Sequence, residues 1–256
     1  MADVILETSH LTKEFKGFTA VNDVNLRVER GHIHALIGPN GAGKTTCFNL
    51  LTKFLEPSSG TIHFNGRDIT TARPAQIARQ GIIRSFQISA VFPHLSVLQN
   101  VRIGLQRGLG TSFHFWKSET SQSRLNERAM GLLEEVDLAK FADTVTVDLP
   151  YGRKRALEIA TTLAMEPELM LLDEPTQGMG HEDVSRVTDL IKKVSAGRTI
   201  LMVEHNMSVV SGICNKISVL QRGALLAEGS YEEVSRNAQV MEAYMGTASG
   251  ALEGAH

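Results

Sequence analysis

The sequence has few cysteines, few aromatic residues and no excess of basic charge. Its two cysteines, among 256 residues, lie far apart in no metal-type spacing, which excludes a disulfide scaffold and favours a reduced, cytosolic setting. Acidic residues outnumber basic ones by 28 to 26, whereas a nucleic-acid surface would need a basic excess. No apolar run approaches the ~20 residues of a membrane span, and the N-terminus lacks the pattern of a signal peptide. We therefore expect no nucleic-acid partner, and contact with a membrane only through another protein.

What the chain does contain is a phosphate-binding motif of the form G-x-x-x-x-G-K-[ST], with the sequence Gly38-Pro39-Asn40-Gly41-Ala42-Gly43-Lys44-Thr45. The apolar run 33–37 before it predicts a buried strand, and residues 46–54 after it predict a helix that begins at Thr46. Glycines let backbone N–H groups approach an anion, and the N-terminal end of a helix attracts negative charge. Lys44 can reach the terminal phosphates of a nucleotide, and the Thr45 hydroxyl can bind Mg²⁺. The motif predicts a site for a nucleoside triphosphate.

The order of predicted elements indicates an α/β fold with two additions. Strands over residues 4–15 and 21–28 predict a sheet before the motif. Between about residues 88 and 165 the pattern is helical, apart from an irregular stretch at 104–123, and a helix-only segment between strands suggests an inserted α-domain. Residues 169–175, a continuous apolar run ending in two acids, and the run 199–203 predict parallel strands that are buried on both faces. A helix over 231–245 and a frayed tail from Gly246 complete the prediction.

Polar residues follow three of the predicted strands, where ligands of open α/β sheets bind. Asp173 can hold Mg²⁺ opposite Thr45, and Glu174 can deprotonate a water in line with the γ-phosphate. His205 can bond the γ-phosphate or hold Glu174 in place. Gln87, which ends a predicted strand over residues 81–87, can offer its amide to Mg²⁺ or to the attacking water. A single strand-end histidine or glutamine is usually structural or solvated, but four such groups around one phosphate loop favour a shared function.

The aromatic residues leave two questions open. Phe15 and Phe18, upstream of the motif, can be plain core residues, or one of them can stack on an adenine ring. The cluster Phe113, Phe115 and Trp116 can mark an interface or cover a small satellite core.

The chain resembles the ATP-binding subunits of ABC transporters along nearly its whole length. The resemblance rests on residues 38–45 (Walker A), Gln87 (Q-loop), 149–153 (signature), 169–174 (Walker B) and His205 (switch histidine). Within that family it is most similar to ATPase subunits of bacterial branched-chain amino-acid uptake systems, through stretches at 20–26, 84–87, 151–160, 203–207 and 243–246. The resemblance implies a P-loop NTPase (RecA-like) core with a mostly parallel sheet at 1–87 and 166–230. It also implies an N-terminal antiparallel β-subdomain, a helical subdomain at 88–165 and a C-terminal helix and tail at 231–256.

The family also implies roles for individual residues. Phe15 would stack on adenine, and Glu174 would act as the general base of ATP hydrolysis. Two ATP-binding subunits, identical or different, would close head to tail, so that Tyr151 and Gly152 contact the ATP held by the partner. The helical subdomain would bind membrane permease subunits at the cytoplasmic face of the inner membrane.

Two departures from the family pattern affect the signature and the turn after Walker B. Pro150 stands where the family has a serine that donates to the γ-phosphate, and Gly180 stands where it has an acidic residue. These departures predict weakened activity and leave a heterodimer with a better-matched partner open. An exporter ATPase for lipid or polysaccharide and a non-transport ABC ATPase remain the alternative functions.

Overall fold

The computed structural model describes residues 3–85, 91–108 and 119–250. Gln87 and the cluster Phe113, Phe115 and Trp116 lie outside these residues, so the roles predicted for them stay predictions. Within the described ranges the chain forms an antiparallel sheet, a mostly parallel sheet and helices packed around the second sheet. The predicted α/β class is confirmed.

The antiparallel sheet comes from the N-terminal part of the chain. Its strands are β1 (Val4–Phe15), β2 (Phe18–Val24), β3 (Arg27–Glu29), β5 (Ser59–Phe64) and β6 (Arg67–Asp68). They lie in the order β2-β1-β5-β6, and β3 also pairs with β1. The strand predicted over residues 21–28 is divided between β2 and β3, because Asn25 and Leu26 belong to neither strand.

The second sheet places the predicted buried strands side by side. It contains β4 (Ile33–Ile37), β7 (Ile82–Ser85), β8 (Leu169–Asp173), β9 (Thr199–Val203), β10 (Lys216–Gln221) and β11 (Ala224–Gly229). Their order is β11-β10-β4-β9-β8-β7, and only the β10–β11 pair among them is antiparallel. The carboxyl ends of β4, β7, β8 and β9 therefore meet at one edge, as parallel pairing requires.

The helices of the described ranges are α1 (Lys44–Leu51), α2 (Pro74–Arg79), α3 (Val97–Gly108), α4 (Glu119–Glu135), α5 (Tyr151–Leu163), α6 (His181–Val194), α7 (Met207–Ile213), α8 (Tyr231–Ser235) and α9 (Ala238–Gly250). Short 3₁₀ turns at Ala139–Phe141 and Thr146–Asp148 lie between α4 and α5. None of the helices in the described part of the chain is long and apolar enough to cross a membrane.

Alternate side chains of the parallel sheet pack into two separate apolar cores. On β8, Met170 and Leu172 join a core that contains residues of α3 to α6, whereas Leu169 and Leu171 join a core with α1 and the antiparallel sheet. The period of two along a strand produces this division. Since both faces of the sheet are covered, its strands read as continuous apolar runs, and the boundaries of β4 and β9 match the prediction. Strand β8 ends at Asp173, two residues before the predicted end.

The prediction of an irregular segment at 104–123 is wrong at both ends. Helix α3 continues to Gly108 and α4 begins at Glu119, while residues 109–118 lie outside the described ranges. A Cβ atom on Gly104 would lie 2.9 Å from the Cβ of Ala164 and 3.0 Å from the carbonyl oxygen of Thr161. Gly104 therefore permits close packing of α3 against the end of α5, and does not end the helix.

The single helix predicted over residues 231–245 is two helices, α8 and α9. The side chain of Asn237 accepts hydrogen bonds from the backbone N–H groups of Gln239 (2.9 Å) and Val240 (3.3 Å), so it caps a new helix. This second helix extends to Gly250, beyond the predicted fraying point at Gly246, and residues 251–256 lie outside the described ranges.

Candidate functional site

The phosphate-binding motif connects β4 to α1 and has a backbone that only glycine can adopt at its first position. Gly38 has a φ of 150°, and a Cβ atom there would lie 2.1 Å from the carbonyl oxygen of Leu220 on β10. The Lys44 amine donates to the carbonyl oxygens of Gly38 (2.7 Å) and Pro39 (3.0 Å), which folds its side chain back over the loop. Helix α1 begins at Lys44, two residues before the predicted start, so Thr45 and Thr46 both belong to its first turn.

Two carboxylates lie close enough to Lys44 to act on its charge. Burial lowers the pKa of the Lys44 amine, while Glu174 and Asp173 both raise it. These acids come from the end of β8, which is far from Lys44 in the sequence. The structure therefore brings the predicted cation and both predicted acids to one place.

Asp173 ends β8 and forms a buried ion pair that the sequence analysis missed. The Arg84 guanidinium, on the neighbouring strand β7, donates to the Asp173 carboxylate. It also donates to the Asn49 side chain (2.6 Å) and lies 5.8 Å from the ring centre of Phe48, both on α1. Arg84 thereby ties α1 to the end of β8. Its place in the stretch 84–87 that carries the family resemblance was the one sequence signal for it.

Glu174 and His205 are in direct contact. The Glu174 Oε1 and His205 Nε2 atoms are 2.6 Å apart, so the carboxylate accepts a hydrogen bond from the protonated ring nitrogen. Glu174 has a positive φ of 48°, an uncommon conformation for a residue other than glycine, and its backbone N–H donates to the Val203 carbonyl oxygen at the end of β9. The chain leaves the sheet at this residue, and its carboxylate faces the loop after β9. The geometry places the His205 ring against the Glu174 carboxylate, and both predicted roles of His205 stay predictions.

The loop and the two catalytic candidates line one cavity of about 350 Å³. Its lining residues are Phe18, Ala20, Asn40, Gly41, Ala42, Gly43, Lys44, Thr45, Thr46, Glu174 and His205. The aromatic ring on this cavity belongs to Phe18. Phe15, the residue predicted to stack on adenine, pairs with Phe18 across the end of the β1–β2 ladder and has Lys13 over its ring.

Tyr151 and Gly152, the predicted signature contacts, form the first turn of α5. The Tyr151 hydroxyl donates to the Gln177 carbonyl oxygen (3.3 Å), in the turn that follows Glu174. A Cβ atom on Gly152 would lie 2.6 Å from the Asp183 carboxylate on α6, so a larger residue there would displace this side chain where α5 packs against α6. Neither residue lines the 350 Å³ cavity, and their predicted contact with a partner's nucleotide stays a prediction.

Arg155 links the signature helix to the turn that carries Glu174, which the sequence analysis did not anticipate. Its guanidinium is buried and donates to the carbonyl oxygens of Pro175 (3.0 Å) and Glu174 (3.2 Å). It also pairs with the buried Glu158 carboxylate (2.5 Å), one turn along α5. A movement of the first turns of α5 would therefore move the backbone at Glu174 as well.

The chain matches two protein families. Residues 21–177 match the family described as ABC transporter, and residues 224–249 match the family described as branched-chain amino acid ATP-binding cassette transporter. The first match spans the phosphate loop, the signature and the end of β8. It therefore covers most of the site described above.

Full-length relatives and solved structures agree with these matches. The chain is 39% identical to the high-affinity branched-chain amino acid transport ATP-binding protein BraF of Pseudomonas aeruginosa, over 97% of this chain and 100% of that protein. It is 36% identical to the corresponding protein LivG of Escherichia coli over the same shares. A solved ATP-binding cassette of an ABC transporter in its ADP conformation is 30% identical, with a TM-score of 0.83, over 95% of this chain and 99% of that one.

A nucleotide-free ATP-binding cassette of an ABC transporter superposes with a TM-score of 0.82 at 29% identity, over 94% of this chain and 98% of that one. The resemblance drawn from the sequence motifs is confirmed. The chain therefore belongs to the ABC transporter family, as an ATP-binding subunit that hydrolyses ATP.

Proposed function

We propose that this subunit powers the uptake of branched-chain amino acids through membrane permease subunits, at the cytoplasmic face of the cell membrane. The support is the series of relatives named for branched-chain amino acid transport, which the chain matches over nearly its full length. The match of residues 224–249 to a branched-chain amino acid cassette family supports the same solute class. No comparable observation favours an exporter or a non-transport ATPase.

The observation that carries the catalytic proposal is the 2.6 Å contact between Glu174 and His205 beside Lys44. In the proposed reaction, Lys44 leaves the carbonyl oxygens of its own loop to bind the terminal phosphates of ATP. Glu174 accepts a proton from a water aligned with the γ-phosphate, and such a general base contributes about 10²–10⁴-fold. His205 orients the Glu174 carboxylate towards that water.

Thr45, in the first turn of α1, and Asp173, at the end of β8, fit the Mg²⁺ that accompanies ATP in this proposal. The described residues contain no group of three or more His, Cys, Asp and Glu side chains that could hold a metal alone. Mg²⁺ commonly uses one or two protein oxygens together with substrate phosphates, and the Thr45 hydroxyl and the Asp173 carboxylate supply such oxygens. Gln87 is the proposed third contact. When bound, the ion would neutralise charge that develops on the phosphates.

Two subunits, identical or different, would complete the proposed assembly. Tyr151 and Gly152 would contact ATP on the partner, and Phe15 would stack on the adenine of its own subunit. Pro150 supplies no hydroxyl at the start of α5, and Gly180, at the start of α6, supplies no carboxylate. We therefore propose weaker coupling between the two sites than in cassettes that have both groups, and a better-matched second subunit would offset it.

Replacing Glu174 with Gln tests the catalytic proposal. We expect the steady-state ATPase rate to fall by about 10²–10⁴-fold while ATP binding, measured by equilibrium titration, survives. Glu182→Gln is the matched control, because this carboxylate is exposed on α6 and forms only a surface ion pair. A wild-type rate in the Glu174 variant would show that this residue is not the base.

Identification of the transported solute requires the assembled complex. We expect membrane subunits to co-purify with the chain. Leucine, isoleucine or valine, added on the side of the membrane from which the permease takes up solute, should raise the ATPase rate of this complex. Stimulation by a lipid or polysaccharide, with no response to amino acids, would assign the subunit to an exporter.

A further inference from the structure

Glu204 is a buried carboxylate next to His205 for which neither the sequence motifs nor the proposed reaction has a role. It follows β9 directly, and only 2% of its surface is exposed. One carboxylate oxygen accepts hydrogen bonds from the backbone N–H (3.1 Å) and the hydroxyl of Thr176. The other accepts from the backbone N–H groups of His205 (2.8 Å) and Asn206 (3.0 Å). A carboxylate has about four acceptor positions, so these four donors use its full capacity.

The four donors belong to two different loops. Thr176 lies two residues after Glu174, in the turn that leaves β8, and the other two donors lie in the loop that leaves β9. Glu204 therefore holds together the two segments that carry the Glu174 carboxylate and the His205 ring. Hydrogen bonds to a charged acceptor are stronger than those between neutral groups, and exclusion of water preserves their strength.

We propose that Glu204 is a positioning residue for ATP hydrolysis, which fixes the loop after β9 to the turn after β8 and so holds His205 at Glu174. This inference rests on the proposed roles of Glu174 and His205. Glu204 does not line the 350 Å³ cavity that contains Lys44, so it acts through the histidine and not on the substrate. It lines a neighbouring cavity of about 490 Å³ whose residues also include Glu174, Thr176 and His205.

Glutamine at position 204 is a sharp perturbation, because it keeps the size of glutamate and changes only the pattern of acceptors. Its carbonyl oxygen can still accept two hydrogen bonds from one loop. If that oxygen stays with the loop after β9, the NH₂ group faces Thr176, where it opposes the backbone N–H and only the hydroxyl can turn round and accept from it. The link between the loops is therefore weakened from four hydrogen bonds to three at most, with two N–H groups opposed, while the phosphate loop and its lysine are untouched.

The test measures ATP hydrolysis and ATP binding for Glu204→Gln, His205→Ala and the double variant. Small displacements of catalytic groups can cost up to about 10²-fold, so we expect the single Glu204 variant to lose about 10- to 100-fold in kcat. Its KM for ATP should stay close to the wild-type value, because no contact to ATP is removed. In the His205→Ala background the same substitution should cause no further loss.

Three outcomes contradict parts of this reasoning and can be told apart. If Glu204→Gln lowers kcat equally with and without His205, the two residues act independently and the positioning role is wrong. A wild-type kcat for Glu204→Gln also overturns it. A wild-type rate for His205→Ala, by contrast, refutes the proposed role of the histidine itself.

Thr176→Val provides a second variant in case Glu204→Gln does not fold. It removes the hydroxyl donor and retains the backbone donor, so one of the four hydrogen bonds is lost. We expect a smaller loss in kcat that again disappears in the His205→Ala background. If kcat is unchanged, the proposal is refuted by this variant as well. Urea unfolding of each variant separates loss of fold from loss of catalysis.

Discussion

Replacement of Arg155 by Met is expected to destabilise the fold and to reduce ATP hydrolysis for separate reasons. The guanidinium is buried and pairs at 2.5 Å with the buried Glu158 carboxylate. Removal of one partner from a buried ion pair typically costs about 3–5 kcal/mol, because the other charge stays in a poorly solvated site. A loss of this size is a large fraction of the ~5–15 kcal/mol that stabilises a typical protein.

A second substitution separates the two effects. Exchange of both members of a buried pair for apolar residues of similar volume is often neutral, so Arg155→Met with Glu158→Met should recover most of the lost stability. The carbonyl oxygens of Glu174 and Pro175 would still lack the guanidinium donor in this double variant. We therefore expect a folded protein whose ATPase rate remains below that of the wild type.

The measurements are urea unfolding, followed by circular dichroism, and steady-state ATPase rates. Arg186→Met is the matched control, since this arginine forms exposed ion pairs on α6 and should cost less than about 1 kcal/mol. If the double variant is as unstable as the single one, burial of charge is not the cause of the loss. If it hydrolyses ATP at the wild-type rate, the link between α5 and Glu174 has no catalytic role.

Two further predictions concern stability. Gly41→Ala should lower the free energy of unfolding by about 1–2 kcal/mol through its positive φ alone. Gly38→Ala should lower it by about 1–3 kcal/mol more, because its new Cβ also meets the Leu220 carbonyl oxygen. Urea unfolding measures both losses, and equal values would contradict this. Burial lowers the pKa of His34 to about 3, with smaller contributions from Lys216 and His32. Below about pH 6.5 the unfolded chain therefore binds a proton that the folded chain does not. Stability should fall by roughly 2 kcal/mol between pH 7 and pH 5 from this group, and His34→Gln should flatten that slope in urea titrations at each pH; an unchanged slope would assign it to other groups.

The central contacts of the site were predictable because they follow from backbone geometry. The phosphate loop has a fixed pattern, and β8 and β9 are continuous apolar runs that end in polar residues. Parallel strands bring such ends to a common edge, so the approach of Glu174 and His205 to Lys44 required no knowledge of side-chain packing. The pairing of His205 with Glu174 was among the predicted alternatives for the same reason.

The supporting contacts were not predictable, because they depend on which distant segments the packed fold brings next to each buried polar side chain. Arg84, Arg155 and Glu204 each join segments that are distant in sequence, and none of them has a local pattern that names its partner. Gly104 shows the same limit for packing. A glycine within a helical pattern can end a helix or let a neighbour approach, and only the position of α5 decides between them.

Strand β4, which leads into the phosphate loop, pairs with β9 on one side and β10 on the other. Both partners come from the last quarter of the chain, although β4 itself is made early in synthesis. At roughly 5–20 residues per second, β4, in which His34 is the one polar residue, is synthesised on the order of ten seconds or more before either neighbour. Such a segment is a natural target for chaperones, and a prematurely ended chain that lacks β9 and β10 would leave it open to aggregation.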